Sequence, residues 1–429
     1  MTFDTALKEF FRTVWGRDAL VRGGLRAILK HGYMRPPSNF VCDLLSLLRR
    51  IAHSQGTKEL CAPIFLYNVC MRYMRKLIQH GVRNFFIVVD KGVHPDKLQT
   101  SIERAEAAES NEKTEVRYDE KTTHFIDGVM VTFSASTRRV VGVSDKISLL
   151  AVLDNRAIRA QFMDWFMDQL ERESRAWPPQ VTFVADWTFD RNKSPCEFIG
   201  GTGKRVMRGK DWPPNNWHEA DHSIGWWVHG CMNLEGRPHT MVWAVDGDLL
   251  IVLLWVVYNY RRLRNKHTQK ITQSENHSEQ GYCHETRPLD AKNKEQEPSS
   301  EPRVVFLWEG PRAKDTLIVD INEAVTSLIN RGLTPATIAL AAMLTKNDYV
   351  KKEALTPGIG VTKIAEFLNS KRITIENFGI EKFKETVLSP LYAKSKKERP
   401  SDKGLADTIV KVLRCLERWR LCSTGNSGP

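Results

Sequence analysis

Three apolar runs in this 429-residue chain each close on an aspartate: Phe40-Val41-Cys42-Asp43, Phe85-Phe86-Ile87-Val88-Val89-Asp90 and Val242-Trp243-Ala244-Val245-Asp246. A short β-rich run ended by a carboxylate suits a buried parallel strand whose carboxyl end opens onto a site, the edge where ligands bind in open α/β sheets. Further acids come in closely spaced pairs, Glu219/Asp221 in His-Glu-Ala-Asp and Asp246/Asp248 in Val-Asp-Gly-Asp. Clustered carboxylates repel one another, and divalent cations are what hold such clusters together. These residue types point to metal-dependent hydrolysis of phosphodiesters.

The charge balance agrees with that chemistry. Lys and Arg number 63 against 51 Asp and Glu, a net charge of +12. A basic surface around an acidic pocket suits a nucleic-acid enzyme, because cationic side chains bind backbone phosphates while metals occupy the carboxylates. The 41% hydrophobic fraction is enough for a packed core, and the length allows two or three domains. The eight cysteines form no CxxC pair, which argues for reduced thiols in an intracellular compartment. The opening Met-Thr-Phe-Asp-Thr-Ala-Leu-Lys-Glu-Phe-Phe carries acids and lacks the apolar core of a signal peptide. The run Leu249 to Tyr258 is about half the length of a spanning helix, so it reads as a buried helix or strand. The expectation is a soluble, intracellular and nuclear protein with no membrane partner.

Elements must position these acids. The first forty residues read as a basic helical leader carrying Arg22, Arg26, Lys30 and Arg35. Helical periodicity runs from Ile64 to His80, in the charged stretch Asp96 to Lys113, from Asn155 to Ala176, and from Lys403 to Leu421. Alternation predicts a hairpin whose strands are His124 to Phe133 and Arg138 to Val143, and Val181 to Asp186 reads as another strand ended by an aspartate. Strands resume at Val304 to Leu307 and Leu317 to Asp320. Between them, residues 261–302 lose nearly all apolar side chains and read as a polar, disordered insertion. Asp186 and Asp320 read as structural turn or cap residues. The implied organisation is an α/β core over 1–260 and 303–342, with a C-terminal element over 343–429.

A last motif makes the pattern specific. Thr345-Lys346-Asn347-Asp348-Tyr349 precedes Thr356-Pro357-Gly358-Ile359-Gly360-Val361-Thr362-Lys363, a Pro-Gly-Ile-Gly turn of helix-hairpin-helix type. Its glycines permit close backbone approach to a DNA phosphate, and the following helix offers free N–H groups. With the ordered acids, the chain resembles the flap endonuclease family of structure-specific 5′ nucleases, which includes the excision-repair endonucleases. The resemblance runs from about Asn39 to Leu368. It implies a PIN-like α/β fold: a mostly parallel central sheet flanked by helices, with a C-terminal helix-hairpin-helix element.

The resemblance assigns roles residue by residue. Asp43 and Asp90 match the first two strand-end acids, the latter in Val88-Val89-Asp90-Lys91-Gly92-Val93-His94-Pro95-Asp96-Lys97-Leu98, where the family carries a Phe-Asp-Gly-x-Pro-Pro-x-Leu-Lys-like segment. Glu219 and Asp221 match an acidic pair whose second member is Glu in the family, Asp246 and Asp248 match a DxD pair, and Asp348 matches the acid before the hairpin. These seven are the implied ligands of two Mg²⁺ ions about 4 Å apart, with Mn²⁺ as substitute. Lys97 and Arg104, seven and fourteen residues after Asp90, match two catalytic cations on one helix face. Gly358, Gly360 and Lys363 are the implied DNA contacts. The implied partner is branched or 5′-flap DNA in replication and repair, with no evident sliding-clamp motif. Two departures bear on substrate shape: the chain starts Met-Thr where the family starts Met-Gly, and Arg49 stands where several relatives carry a base-stacking tyrosine.

Other readings compete. A catalytically silent nucleic-acid-binding scaffold would not need the full acid set, and a PIN-like ribonuclease would not need the hairpin. His218-Glu219-Ala220-Asp221-His222 satisfies the HExxH pattern of zinc proteases, but the longer form wants a histidine at 228, which is Val228. That reading also leaves Asp43, Asp90, Asp246, Asp248 and Asp348 without a role.

Overall fold

Successive residues of a strand face opposite sides of a sheet, and the apolar runs here are apolar on both sides. Such strands need helices over both faces. The computed structural model describes residues 21–22, 37–54, 63–91, 123–134, 140–144, 149–187, 195–207, 219–234, 236, 238–278, 301–308, 317–344, 361–374, 385 and 402–422. Its strands are β1 (Val21–Arg22), β2 (Asn39–Asp43), β3 (Asn84–Val88), β4 (Thr123–Ile126), β5 (Val129–Phe133), β6 (Val140–Ser144), β7 (Thr182–Asp186), β8 (Cys196–Ile199), β9 (Lys204–Met207), β10 (Thr240–Ala244), β11 (Val304–Trp308) and β12 (Leu317–Asp320). Its helices are α1 (Leu44–Ser54), α2 (Ile64–Gln79), α3 (Leu149–Asp154), α4 (Arg156–Ser174), α5 (Ala220–Met232), α6 (Asp248–Ser278), α7 (Ile321–Asn330), α8 (Pro335–Leu344), α9 (Val361–Ser370) and α10 (Asp402–Cys422).

The main sheet has the order β1-β12-β11-β10-β2-β3-β7-β8-β9. Its centre, β11-β10-β2-β3-β7, is parallel throughout, and antiparallel strands close each side. This is the α/β architecture with a mostly parallel sheet that the sequence implied. Alternation then sorts the core into two. Val41, Phe86, Val88, Val184, Val242 and Ala244 pack with α5 to α10 on one face. Phe40, Cys42, Phe85, Ile87, Phe183 and Trp243 pack with α1 to α4 on the other.

Three local readings change. Val21 and Arg22, expected in a helical leader, pair antiparallel with Ile318 and Leu317 instead. An edge strand's unpaired backbone groups offer more there than a lone helical turn would. The run from His124 to Phe133 is not one strand, because Asp127 and Gly128 take positive φ of 45° and 87° and fold it into a tight hairpin. Two consecutive positive φ values are what a two-residue Asp-Gly loop requires. With β6, the result is a three-stranded meander packed on α4, where Phe125 N–H donates to Gln161 Oε1 at 2.7 Å.

The third change concerns the polar stretch. Leu249 to Val257 form the buried start of α6, and the helix continues to Ser278, beyond the expected boundary at 261. Among the described residues, no helix is long and apolar enough to cross a membrane. At the far end of the stretch, Glu301 receives both Arg261 Nε and Nη2, at 2.7 and 2.8 Å, and the Pro302 carbonyl accepts from Asn322 Nδ2 at 3.0 Å. The charged stretch Asp96 to Lys113 and residues 279–300 lie outside the described residues.

Replacing 265–302 by a short Gly/Ser linker is therefore expected to lower Tm, because it strands Arg261 and Asn322 at a cost on the order of 2 kcal/mol. Calorimetry on the deletion decides the point; an unaltered Tm would mean that these contacts contribute no net stability.

Candidate active site

At the amino edge, the four central parallel strands begin on polar residues that are register partners: Thr240, Asn39, Asn84 and Thr182. Their side chains form a continuous chain. Asn39 Nδ2 donates to Thr240 Oγ1 at 3.2 Å, Asn84 Nδ2 to Asn39 Oδ1 at 2.9 Å, and Thr182 Oγ1 to Asn84 Oδ1 at 3.0 Å. A one-residue slip would break this chain and turn every core side chain to the wrong face. The fixed register brings the opposite ends of these strands level, with Asp43 beside Val88 and Val88 beside Asp186.

Strand periodicity then selects a face. Asp43 follows Val41 by two, Asp90 follows Val88, Asp186 follows Val184 and Asp246 follows Ala244, all residues of the face covered by α5 and α6. Helix α5 crosses β10, β2 and β3 on that face. Its first N–H, from Ala220, donates to Asp90 Oδ1 at 2.8 Å, which sets the buried Glu219 and Asp221 beside Asp90. The partial positive charge of a helix N-terminus favours the carboxylate it meets.

Asp43 reports how close the other acids are. It caps α1 by accepting from the Ser46 N–H at 3.2 Å and from the Ser46 hydroxyl. Burial, and then the negative charge of Asp90, push its carboxyl up to about 7 against the lowering effect of Ser46, with Asp246 adding to the rise. Asp43, Asp90 and Asp246 therefore form one electrostatic unit. Asp90 and Asp246 are exposed, so the unit opens to solvent, and half-buried Asp248 begins α6 immediately beyond. Among the described residues no three His, Cys, Asp or Glu side chains close around a single metal position. The donors gathered here are carboxylate oxygens, the chemistry that suits Mg²⁺ or Mn²⁺ rather than a thiolate- or imidazole-seeking ion.

The remaining candidates divide. Lys363 is exposed on α9. Lys97, Arg104, His218, Asp348, Gly358 and Gly360 lie outside the described residues. His222, the second histidine of HExxH, is buried within α5. Arg49 pairs with Asp154 at 3.0 Å on the surface. Asp320 is structural, capping α7 through Glu323 N–H at 3.1 Å and pairing with Arg303. Asp186 is structural too, fully buried and salt-bridged to Lys91. Lys91 had escaped the sequence reading, its partner Asp186 being 95 residues away. Cys42, Cys70, Cys196, Cys231 and Cys415 are free and buried, and burial pushes Cys70 and Cys231 up to about 12.

No protein-family model and no curated protein matches the chain. Among solved structures, the catalytic core of Rad2 in complex with DNA substrate is similar at 11% identity and TM-score 0.40, over 96% of this chain and 85% of that one. The T5 D15 protein co-crystallised with metal ions is similar at 10% identity and TM-score 0.37, over 90% of each chain. A T5 D15 flap endonuclease complex with DNA and metal ions is similar at 11% identity and TM-score 0.37, again over 90% of each chain.

The clustering has a sign that can be measured. Asp43 takes up a proton more readily folded than unfolded, since about 7 lies above the ordinary aspartate value near 3.9. Its contribution to stability is therefore full below about pH 4 and is lost as pH rises through about 7. Metal-free protein should lose Tm between pH 5 and pH 8, and Asp43→Asn should lose less, as should wild type with added Mg²⁺. Equal pH dependence in all three would mean that Asp43 does not feel its neighbours.

Proposed function

We propose that this protein is a metal-dependent, structure-specific 5′ nuclease that hydrolyses phosphodiester bonds in DNA. One observation carries the reading: Asp43, Asp90 and Asp246 converge at the carboxyl edge of a parallel sheet, and α5 brings Glu219 and Asp221 to the same place through the Ala220–Asp90 hydrogen bond. Branched or 5′-flap DNA is the substrate class because the ordered acids and the Pro357-Gly358-Ile359-Gly360 turn resemble that nuclease family.

In this reading Asp43, Asp90, Asp221 and Asp246 would hold two divalent cations, with Glu219, Asp248 and Asp348 supporting them. When bound, such ions activate a water for attack and stabilise the charge on the departing 3′ oxygen. The protein's own residues do the rest. Asp43 is held in a fixed orientation at the start of α1 by Ser46, which donates to both of its carboxylate oxygens. Ala220 fixes Asp90 in the same way. Lys97 and Arg104 stabilise charge on the scissile phosphate, and Gly358, Gly360 and Lys363 grip the DNA backbone away from it. The products are a 5′ phosphate and a 3′ hydroxyl.

Single-turnover cleavage of labelled 5′-flap, bubble, nicked and single-stranded DNA with Mg²⁺ tests the reading. Asp90→Asn and Asp246→Asn should each slow cleavage on the order of 10²-fold or more, while DNA affinity by fluorescence anisotropy stays within about threefold. His218→Ala should stay within about tenfold of wild type, because it is no ligand in a carboxylate site. Near-wild-type turnover in either aspartate variant would contradict the assignment, and abolition by His218→Ala would favour the zinc reading.

A further inference from the structure

The carboxyl edge carries four aspartates, and one of them is unlike the rest. In sheet order they are Asp246, Asp43, Asp90 and Asp186, at the ends of β10, β2, β3 and β7. Asp186 is fully buried, and both of its carboxylate oxygens are engaged. Oδ1 receives Lys91 Nζ, whose side chain is also buried, and Oδ2 accepts from Trp227 Nε1 at 2.9 Å. Its backbone carbonyl accepts the Val89 N–H at 3.2 Å. An ammonium and an indole N–H thus satisfy a carboxylate that would otherwise add a fourth charge to the edge.

The partners of Asp186 come from the two elements that carry the other acids. Lys91 directly follows Asp90, and Trp227 lies on α5, whose first turn bears Asp221 and whose first N–H binds Asp90. The Trp227 ring also packs on Phe86 of β3, with centroids 4.9 Å apart. These contacts close a ring: Asp90, its neighbour Lys91, Asp186, Trp227, then α5 back through Ala220 to Asp90. Two rigid elements joined at both ends of a short lever cannot change their mutual distance without breaking a buried charged contact.

We propose that Lys91, Asp186 and Trp227 form a positioning device that fixes the distance between Asp90 and the α5 acids. Asp186 is a post and not a metal ligand. Lys91 is a strut and not a phosphate contact, since its side chain is 1% exposed and committed to Asp186. The link between β3 and α5 stands on these contacts alone; its consequence for metal binding rests on the proposed nuclease reading.

The test uses the full chain without metal, followed by Mn²⁺ titration. Trp227→Phe removes the N–H donor and keeps a ring on Phe86, Asp186→Asn removes the charge, and Lys91→Met/Asp186→Leu replaces the pair by apolar groups of similar size. Such replacement commonly keeps a protein folded. In each folded variant, hydrogen exchange should quicken about tenfold in both peptides, 84–91 and 219–224, while 39–44 stays within about twofold. The Mn²⁺ dissociation constant should rise about tenfold, as for other groups that orient ligands. A purely structural pair would lower Tm without changing exchange at 219–224 or Mn²⁺ affinity, and that result overturns the proposal. If wild type binds no Mn²⁺, the metal reading fails while exchange alone still decides the positioning; if Mn²⁺ binds equally in all variants, the positioning fails and the metal reading stands. Should Asp186→Asn not fold, Trp227→Phe decides.

Discussion

Like charges gathered at one sheet edge repel, and the carboxyl of Asp43 is pushed up by burial and then by the negative charges of Asp90 and Asp246. The fold has to hold the acids together against it. It does so from a distance, through apolar cores on both faces of the parallel sheet and through the Thr240-Asn39-Asn84-Thr182 chain at the opposite edge. Each neutral hydrogen bond of that chain is worth only about 1 kcal/mol, but together they oppose any slip that would separate the strand ends.

Charge at the carboxyl edge is graded rather than uniform. Asp186 is neutralised by Lys91, Asp90 is answered by the partial charge at the start of α5, and Asp43 accepts from Ser46, which favours its ionised form. A divalent cation arriving at Asp43, Asp90 and Asp246 would relieve the largest remaining repulsion. An ion bound by these carboxylates would link folding to cation binding, because whatever binds the native state alone adds to its stability.

Much of this was legible in the sequence because strand periodicity is local. Val41/Asp43, Val88/Asp90 and Ala244/Asp246 keep the alternation that decides which face each acid joins, and the apolar runs before them demand a two-sided sheet. Asp186 was also read as structural, but its partners were not legible, because Lys91 and Trp227 are 95 and 41 residues from it. The polar stretch after Tyr260 misled for a physical reason: once Leu249 to Val257 are buried as helix, propagation costs little per added residue, so α6 continues through a polar sequence to Ser278. Val21 and Arg22 likewise follow the open edge of β12, which no reading of the leader alone could supply.

The central claim is that the carboxylates of β2, β3, β10 and α5 make one divalent-cation site. Anomalous diffraction from crystals soaked in Mn²⁺ tests it most directly. The account predicts anomalous peaks bounded by Asp43, Asp90, Asp246 and the acids of α5, with Asp186 still on Lys91. A peak held by His218 and His222, or no peak at the carboxyl edge at saturating Mn²⁺, would contradict it.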